Sequence, residues 1–276
     1  MVFEGEPDVT IHCALGTSAR TRHERQNQSD DKMASKHCVH AALKWSAGAV
    51  GFAAGAYASY AGITWLRYGH PEPADTEDAD ALLERFMPTY EVAERRYITI
   101  AAPADITFVA ACEADLMQSP IIRAIFKARE LMIGAQPDTT AHPRGVVVFT
   151  KSIGWSVLAE VPEREVVMGA VTQPWNPNVV FHPLPPDEFV RFNEPDYVKI
   201  VWTLRADPVG ENESIFRHET RVITTDGVAR SKFRRYWAQF SPGITLIRWL
   251  LLPQIRTEAE RRARFKRALA HRHLPV

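Results

Sequence analysis

The stretch DGVARSKFRRYWAQFSPGITLIRWLLL, residues 226–252, decides how we interpret the fold. Large apolar side chains recur in it at spacings of four, three and four, which places one set on a single helical face: Phe233, Trp237, Phe240 and Ile244. Asp226 favours the N-cap position, so we predict that the helix begins there. A helix with such a bulky apolar face needs a partner, and we expect it to lie across an antiparallel sheet.

The chain before this helix is typical of strands joined by short turns. Patterns of apolar residues bounded by turn residues predict five strands, at 155–161, 165–171, 179–181, 197–207 and 214–225. Strands with such short connections pair antiparallel. An earlier strand at 90–101 precedes two helices, 104–116 and 119–133, and the second has Ser119 as N-cap and Gly134 as its end. The predicted fold class is therefore α+β.

This element order and three stretches carry a resemblance to a known superfamily. The stretches are VKIVWTLRADP (198–208), SIFRHETRVITTD (214–226) and FRRYWAQFSPGITLIR (233–248). Together they resemble the START-like, or SRPBCC, superfamily, whose helix-grip fold is also that of Bet v 1, and in particular its bacterial members with an N-terminal membrane segment. The resemblance implies a curved antiparallel sheet with two short helices, closed by a long C-terminal helix around an apolar cavity. It implies binding of hydrophobic molecules, catalysis in a minority of members, and no catalytic signature to transfer.

Residues 45–66, WSAGAVGFAAGAYASYAGITWL, contain no charge, and this length of helix spans a bilayer core of about 30 Å. Lys36 and Lys44 precede the segment and an acidic linker follows it, so the positive-inside rule places the N-terminus in the cytoplasm and the domain on the extracytoplasmic side. We predict a single-pass transmembrane helix. A cleaved signal peptide ending near Ala58 and a buried Ala/Gly-rich helix are the alternatives.

Composition excludes several classes of protein. Lys and Arg number 33, as do Asp and Glu, and this balance argues against a general nucleic-acid binder. Three scattered cysteines, Cys13, Cys38 and Cys112, build neither a disulfide framework nor a CxxC metal site. We expect no metal and no cofactor.

The candidate ligand-binding residues share an aromatic ring and a position on a predicted strand or helix. They are Trp155, Trp202, His218, Phe233, Tyr236, Trp237 and Phe240. His218 is the one histidine among them that we consider for proton transfer, and a histidine hydrogen-bonded inside a core is the competing interpretation. Pro242 predicts a kink in the final helix that would open the mouth of a cavity. We predict no catalytic residue.

Side chains alternate along residues 214–225, which leaves one choice open. We expect Arg217, Glu219 and Arg221 to form a water-exposed ladder of charges. If that face turned inward instead, Glu219 and Arg221 would be a buried pair inside the cavity and would mark an enzymatic site.

The predicted organisation divides the chain into five parts: a disordered segment 1–44, the transmembrane helix 45–66, an acidic linker 67–86, the helix-grip domain 87–256 and a basic tail 257–276. The predicted function is membrane-anchored binding or transfer of a hydrophobic small molecule such as a lipid or isoprenoid. A cyclase or hydrolase and a non-catalytic interaction module are the alternatives. The basic tail is a second candidate membrane contact, on anionic headgroups.

Overall fold

The computed structural model describes residues 45, 48, 51–75, 79–137, 140 and 142–272. The chain divides into two compact units, residues 1–59 and 60–276. In the first unit, residues 51–59 are helical. The predicted disordered segment 1–44 lies outside the described residues, as does part of the predicted transmembrane helix. Within the residues that are described, no helix is both long and apolar enough to cross a membrane.

The second unit begins with helical residues 60–67 (α1), and six strands with six further helices follow within its described residues. The strands are β1 (Val92–Ile100), β2 (Ser156–Val161), β3 (Glu165–Thr172), β4 (Phe181–His182), β5 (Val198–Gly210) and β6 (Glu213–Thr224). The helices are α2 (Ala81–Glu84), α3 (Ala104–Cys112), α4 (Pro120–Ile133), α5 (Val146–Ser152), α6 (Pro186–Arg191) and α7 (Gly227–Arg272), and a 3₁₀ turn spans Leu116–Gln118.

All strand pairs are antiparallel, in the order β1-β6-β5-β3-β2, with β4 paired to β3. The two helices α3 and α4 follow β1, and α7 follows β6. This order, with a long final helix against the sheet, confirms the predicted α+β helix-grip fold. Predicted strand bounds differ from the observed ones by at most three residues.

Several helix ends form as the sequence predicts. The Ser119 hydroxyl accepts from the Ile122 amide, and Gly134 ends α4 in the left-handed conformation at φ 68°. Asp226 Oδ1 accepts from the Ala229 amide at 2.7 Å, which caps the start of α7.

The sheet is covered on both faces. We call the face toward α7 the inner face. It carries Val198, Trp202 and Leu204 of β5, together with Phe216 and Val222 of β6, in two buried clusters with α7. The outer face carries Val167, Val171 and Val201, which pack against Leu83 and Met87 in and after α2 and against Phe189 of α6. Where β6 carries Glu219 and Arg221, the sheet is therefore buried on both faces.

Three segments differ from their predicted roles. The helix α7 continues through Pro242 and Pro253 to Arg272 and so includes most of the predicted basic tail. Ala259 and Ala263 are buried in the core, although the predicted boundary at residue 256 assigns them to the tail. Leu83 and Phe86 are buried too, although residues 67–86 read as linker. The run VVVF at 146–149 forms α5, which the sequence analysis does not predict.

Candidate functional site

The sheet-facing stripe of α7 changes character along the helix. It is aromatic at the start, where Phe233 and Trp237 are buried, and aliphatic at the end, where Ile255 and Ala259 are buried. Between these two apolar parts the same stripe carries three polar residues at helical spacing: Ser241, Thr245 and Arg248. The middle of the contact between α7 and the sheet is therefore polar.

The sheet places polar side chains opposite this part of α7. In the register of β1 and β6, Glu94 lies opposite Thr220 and Arg96 lies opposite His218 on the inner face. We call the whole group the polar belt: Glu94, Arg96, His218, Thr220, Ser241, Thr245 and Arg248. It separates the two buried clusters of the inner face.

A directed chain of hydrogen bonds runs from the sheet to α7. His218 Nδ1 lies 2.7 Å from the Thr203 carbonyl oxygen, and because a carbonyl only accepts, Nδ1 carries the proton. His218 Nε2 is then an acceptor, and the Thr220 hydroxyl donates to it at 3.3 Å. The same hydroxyl oxygen accepts from Arg248 Nη2 at 2.9 Å. His218 thus fixes Thr220, and Thr220 fixes Arg248.

His218 is neutral and fully engaged. Burial, followed by the positive charge of Arg248, lowers the pKa of His218 to about 3. Both ring nitrogens have partners within the core. The core interpretation of this histidine therefore describes it better than the proton-transfer one.

Arg248 remains a cation despite its burial. Desolvation lowers the pKa of its guanidinium to about 10, and the carboxylate of Glu94 opposes that shift. Glu94 Oε2 lies 3.5 Å from Arg248 Nη1 and 3.6 Å from Arg96 Nη2. Two guanidinium groups thus share one carboxylate.

Four buried polar atoms of the belt make no hydrogen bond within the described part of the chain. They are Arg96 Nε, Ser241 Oγ, Thr245 Oγ1 and Arg248 Nη1. Most buried polar groups in native proteins are hydrogen-bonded, and an unsatisfied one costs about 1–3 kcal/mol. Three of these atoms belong to successive turns of α7, and the fourth belongs to Arg96, which shares Glu94 with Arg248.

The structure brings the predicted ligand-binding residues together in two groups. Trp155 and His218 both contact Trp202, with ring centroids 6.0 and 6.2 Å away. Phe233 stacks on Trp237 at 5.9 Å and on Tyr236 at 6.0 Å. Trp202, Phe233 and Trp237 are 7%, 2% and 7% exposed. Trp155 and Trp202 pack in one cluster, and Phe233, Tyr236 and Trp237 pack in the other. The sequence analysis expects an apolar wall between such rings, but the wall is polar and includes His218.

Tyr236 and Phe240 lie to one side of that arrangement. Their rings are 4.9 Å apart, and the Tyr236 hydroxyl accepts from Arg129 Nε of α4 at 3.2 Å. The contact between Tyr236 and Phe240 therefore lies toward α4, away from the polar belt.

The predicted exposed ladder is wrong, because the outer face is covered where Glu219 and Arg221 lie. Arg221 is 0% exposed and Glu219 is 5% exposed. Arg221 Nε donates to Glu219 Oε1 at 2.7 Å, and Arg221 Nη1 lies 2.7 Å from Glu84 Oε1 of α2. Arg217 Nε donates to Asp207 Oδ2 at 3.0 Å instead. The Glu219–Arg221 pair is buried on the face away from α7, so it does not face the polar belt.

A cleft of about 450 Å³ opens on the outer face, lined by Ala79, Ala81, Leu82, Arg85, Arg164, Glu165, Arg205 and Asp207. Burial, followed by the nearby charge of Asp80, raises the pKa of Glu165 to about 8. Among the residues that the structure describes, no group of three or more His, Cys, Asp and Glu side chains could hold a metal ion.

Comparison with known proteins gives matches to solved structures only; neither a family model nor a curated relative matches the chain. Protein Mll3558 from Rhizobium loti is 13% identical, with 56% of this chain and 95% of that chain covered and a TM-score of 0.25. Hypothetical protein jhp0584 from Helicobacter pylori is 8% identical, with 68% and 99% covered and a TM-score of 0.34.

The Zhui aromatase/cyclase from Streptomyces sp. R1128 is 13% identical, with 62% and 94% covered and a TM-score of 0.20. At TM-scores this low, the helix-grip assignment rests on the strand order of this chain and on the position of α7.

Of the seven polar-belt residues, the sequence analysis selects only His218, and Arg248 is the one of the others whose signal is clearest. Its signal is present in the sequence, since Thr245 and Arg248 are the two polar residues in the otherwise apolar run 244–252. Their spacing of three puts both on one helical face, which is the sheet-facing one.

Proposed function

We propose that the protein binds an amphipathic small molecule between the inner face of the sheet and α7. The polar belt carries this proposal, through its four buried polar atoms without hydrogen-bond partners. The apolar body of the ligand packs against the clusters on either side, and its polar group bonds to the belt. Hydrogen bonds to the ligand then offset the free-energy cost of burying these four polar atoms without partners.

The sequence of α7 favours separation of the helix from the sheet near the polar belt. Pro242 and Pro253 lie inside the helix on either side of Arg248, and each removes one backbone hydrogen bond. The intervening segment, which holds the polar part of the stripe, is therefore easier to displace than the rest of α7. Such a displacement gives a ligand access to the belt.

The enzymatic alternative depends on groups that are engaged elsewhere. His218 is neutral and bonded at both nitrogens, and Glu219 and Arg221 lie on the outer face. An interaction module with a filled core gives no reason for four unsatisfied polar atoms in one belt. Binding or transfer of a small molecule is the function that the geometry favours.

A pair of double variants on one helix tests the proposal. Ser241→Ala with Thr245→Val removes two unsatisfied buried hydroxyls, so we expect the free energy of unfolding to rise by about 1–3 kcal/mol. Ser231→Ala with Thr257→Val makes the same changes at exposed hydroxyls that bond to the Gly227 and Pro253 carbonyls, and serves as control. Urea denaturation of the full chain measures the difference.

The same variants separate the ligand from adventitious lipid. Each full-length protein is purified identically, and its small-molecule extract is measured by mass spectrometry per mole of protein. We expect one class of molecule to be several-fold lower in the interior variant than in the wild type and in the exposed control. An interior variant that is less stable, or three identical extracts, would contradict the proposal.

We also propose that residues 45–66 anchor the protein in a membrane, with the domain on the extracytoplasmic side. The uncharged run and the basic residues before it support this orientation. An anchor keeps the binding domain near hydrophobic ligands. The expected result is cleavage of residues 67–276 by protease added to intact bacterial spheroplasts; protection of the domain until lysis would refute the orientation.

The basic end of α7 is a second candidate membrane contact. Arg256, Arg261 and Arg264 have exposed side chains, and Trp249 and Phe265 are 66% and 64% exposed. Cations beside exposed aromatic rings suit an anionic lipid surface, where each cation contributes about 1 kcal/mol.

A further inference from the structure

The charge of the polar belt defines what kind of polar group it accepts. Arg96 and Arg248 are cations, Glu94 is the carboxylate between them, and His218 is neutral. The belt therefore carries one net positive charge. The side chains of Arg248, Glu94 and Arg96 are 11%, 22% and 38% exposed, so the belt is most deeply buried at Arg248. Burying a charge without a counter-charge is costly, so a ligand with a single negative charge is favoured over a neutral one.

The geometry of Arg248 favours a planar anion. Its Nη2 is held by Thr220, which His218 holds in turn, so the guanidinium plane is fixed. Its Nη1 is close to Glu94, but makes no hydrogen bond. A guanidinium presents parallel N–H groups that match the two oxygens of a carboxylate.

Further donors lie on the same stripe of α7. The hydroxyls of Thr245 and Ser241 occupy the turns before Arg248 and have no partner in the described part of the chain. Ser241 is 1% exposed, so its hydroxyl is deep in the fold. A carboxylate has about four lone-pair sites, and it can accept from the guanidinium and from one of these hydroxyls together.

We propose that Arg248 binds the carboxylate of an amphipathic monocarboxylic acid, such as a long-chain fatty acid or an isoprenoid acid. The inference rests on the proposed function, because it identifies the ligand class of the same site. A phosphate monoester, with up to two negative charges, exceeds the single positive charge of the belt. A carboxylate matches it.

The test compares two probes with the same apolar body, one with a charged carboxylate and one with a neutral methyl ester. The full-length protein in lipid nanodiscs is titrated with 12-(1-pyrenyl)dodecanoic acid and with its methyl ester, and the signal of empty nanodiscs is subtracted. We expect the wild type to bind the acid about 10–100-fold more tightly than the ester, the range of a hydrogen bond to a charged group.

Arg248→Met is expected to abolish this preference, so that it binds the acid no more tightly than the ester. Arg230→Met removes a 53% exposed arginine on the same helix that pairs with Glu91, and it should behave as the wild type. Should Arg248→Met fail to fold, Arg248→Lys decides, because it keeps the charge and loses the paired N–H groups. We expect Arg248→Lys to bind the acid with a reduced preference.

The outcomes distinguish the two proposals. Equal binding of acid and ester by the wild type overturns the carboxylate inference and leaves ligand binding in the grip intact. No binding of either probe above empty nanodiscs counts against both. An unchanged preference for the acid in the Arg248 variants excludes Arg248 as the carboxylate-binding residue.

Discussion

Replacement of Arg221 by Met is expected to lower the free energy of unfolding by about 3–5 kcal/mol, the cost of breaking a buried ion pair from one side. Arg221 is 0% exposed and its guanidinium contacts Glu219 Oε1, Glu84 Oε1 and the Met87 carbonyl oxygen at 2.7, 2.7 and 2.9 Å. After the substitution, the buried Glu219 carboxylate keeps its ion pair with Arg95, whose Nη2 lies 3.0 Å from Glu219 Oε1. The substitution also removes the ion pair between the sheet and Glu84 of α2.

Arg217→Met is the matched control, because Arg217 is on the same strand and the same face. Its partner Asp207 keeps Arg205 at 2.9 Å and Arg164 at 3.4 Å, so we expect a loss near that of a partly exposed pair, about 1 kcal/mol or less. Urea denaturation followed by far-ultraviolet circular dichroism measures both. Adding Glu219→Gln to Arg221→Met should recover part of the loss. Equal losses in the two single variants would show that the buried network contributes little.

Much of the fold is predictable because its signals are local. Strands β5 and β6 combine regular alternation with a turn between them, and α4 has both a serine N-cap and a glycine at its end. Asp226 caps α7 as expected. These features depend on neighbours in sequence, so no tertiary information is needed to predict them.

The outer face could not be predicted, because it depends on a segment distant in sequence. Alternation divides β6 into two faces but does not say that both are buried. Residues 81–87 supply the cover, and the four-residue helix α2 is too short to show a period. Arg221 therefore has the appearance of a surface residue, although Glu84 and the Met87 carbonyl make it a core residue.

The candidate site was partly predictable for a related reason. Aromatic spacing identifies Trp202, Phe233 and Trp237 as interior residues, and all three are buried. The spacing gives no indication that the two aromatic groups are separate or that a polar belt lies between them. That separation follows from the register of β1 on β6, which pairs Glu94 with Thr220. It also depends on which residues of α7 face the sheet in the 12 residues from Trp237 to Trp249.

Replacement of Phe233 by Ala is expected to destabilise the fold by about 3–5 kcal/mol, the usual cost of removing a buried phenylalanine. Phe233 is 2% exposed, and the rings of Tyr68, Tyr236 and Trp237 lie within 6.1 Å of it. These neighbours come from the start of the domain and from α7 itself. The substitution therefore loosens the first part of α7 from the sheet.

The control for Phe233→Ala is Phe265→Ala, on the same helix but 64% exposed, for which we expect a change within about 0.5 kcal/mol. Thermal and urea denaturation of the full chain measure both variants. Hydrogen exchange adds the location: faster exchange should be concentrated in the first turns of α7 and in β1 and β6, whose Val92 and Val222 share the cluster with Phe233. A small loss for Phe233→Ala, with protection of those strands unchanged, would mean that this end of α7 does not hold the sheet and that the grip depends on the aliphatic end alone.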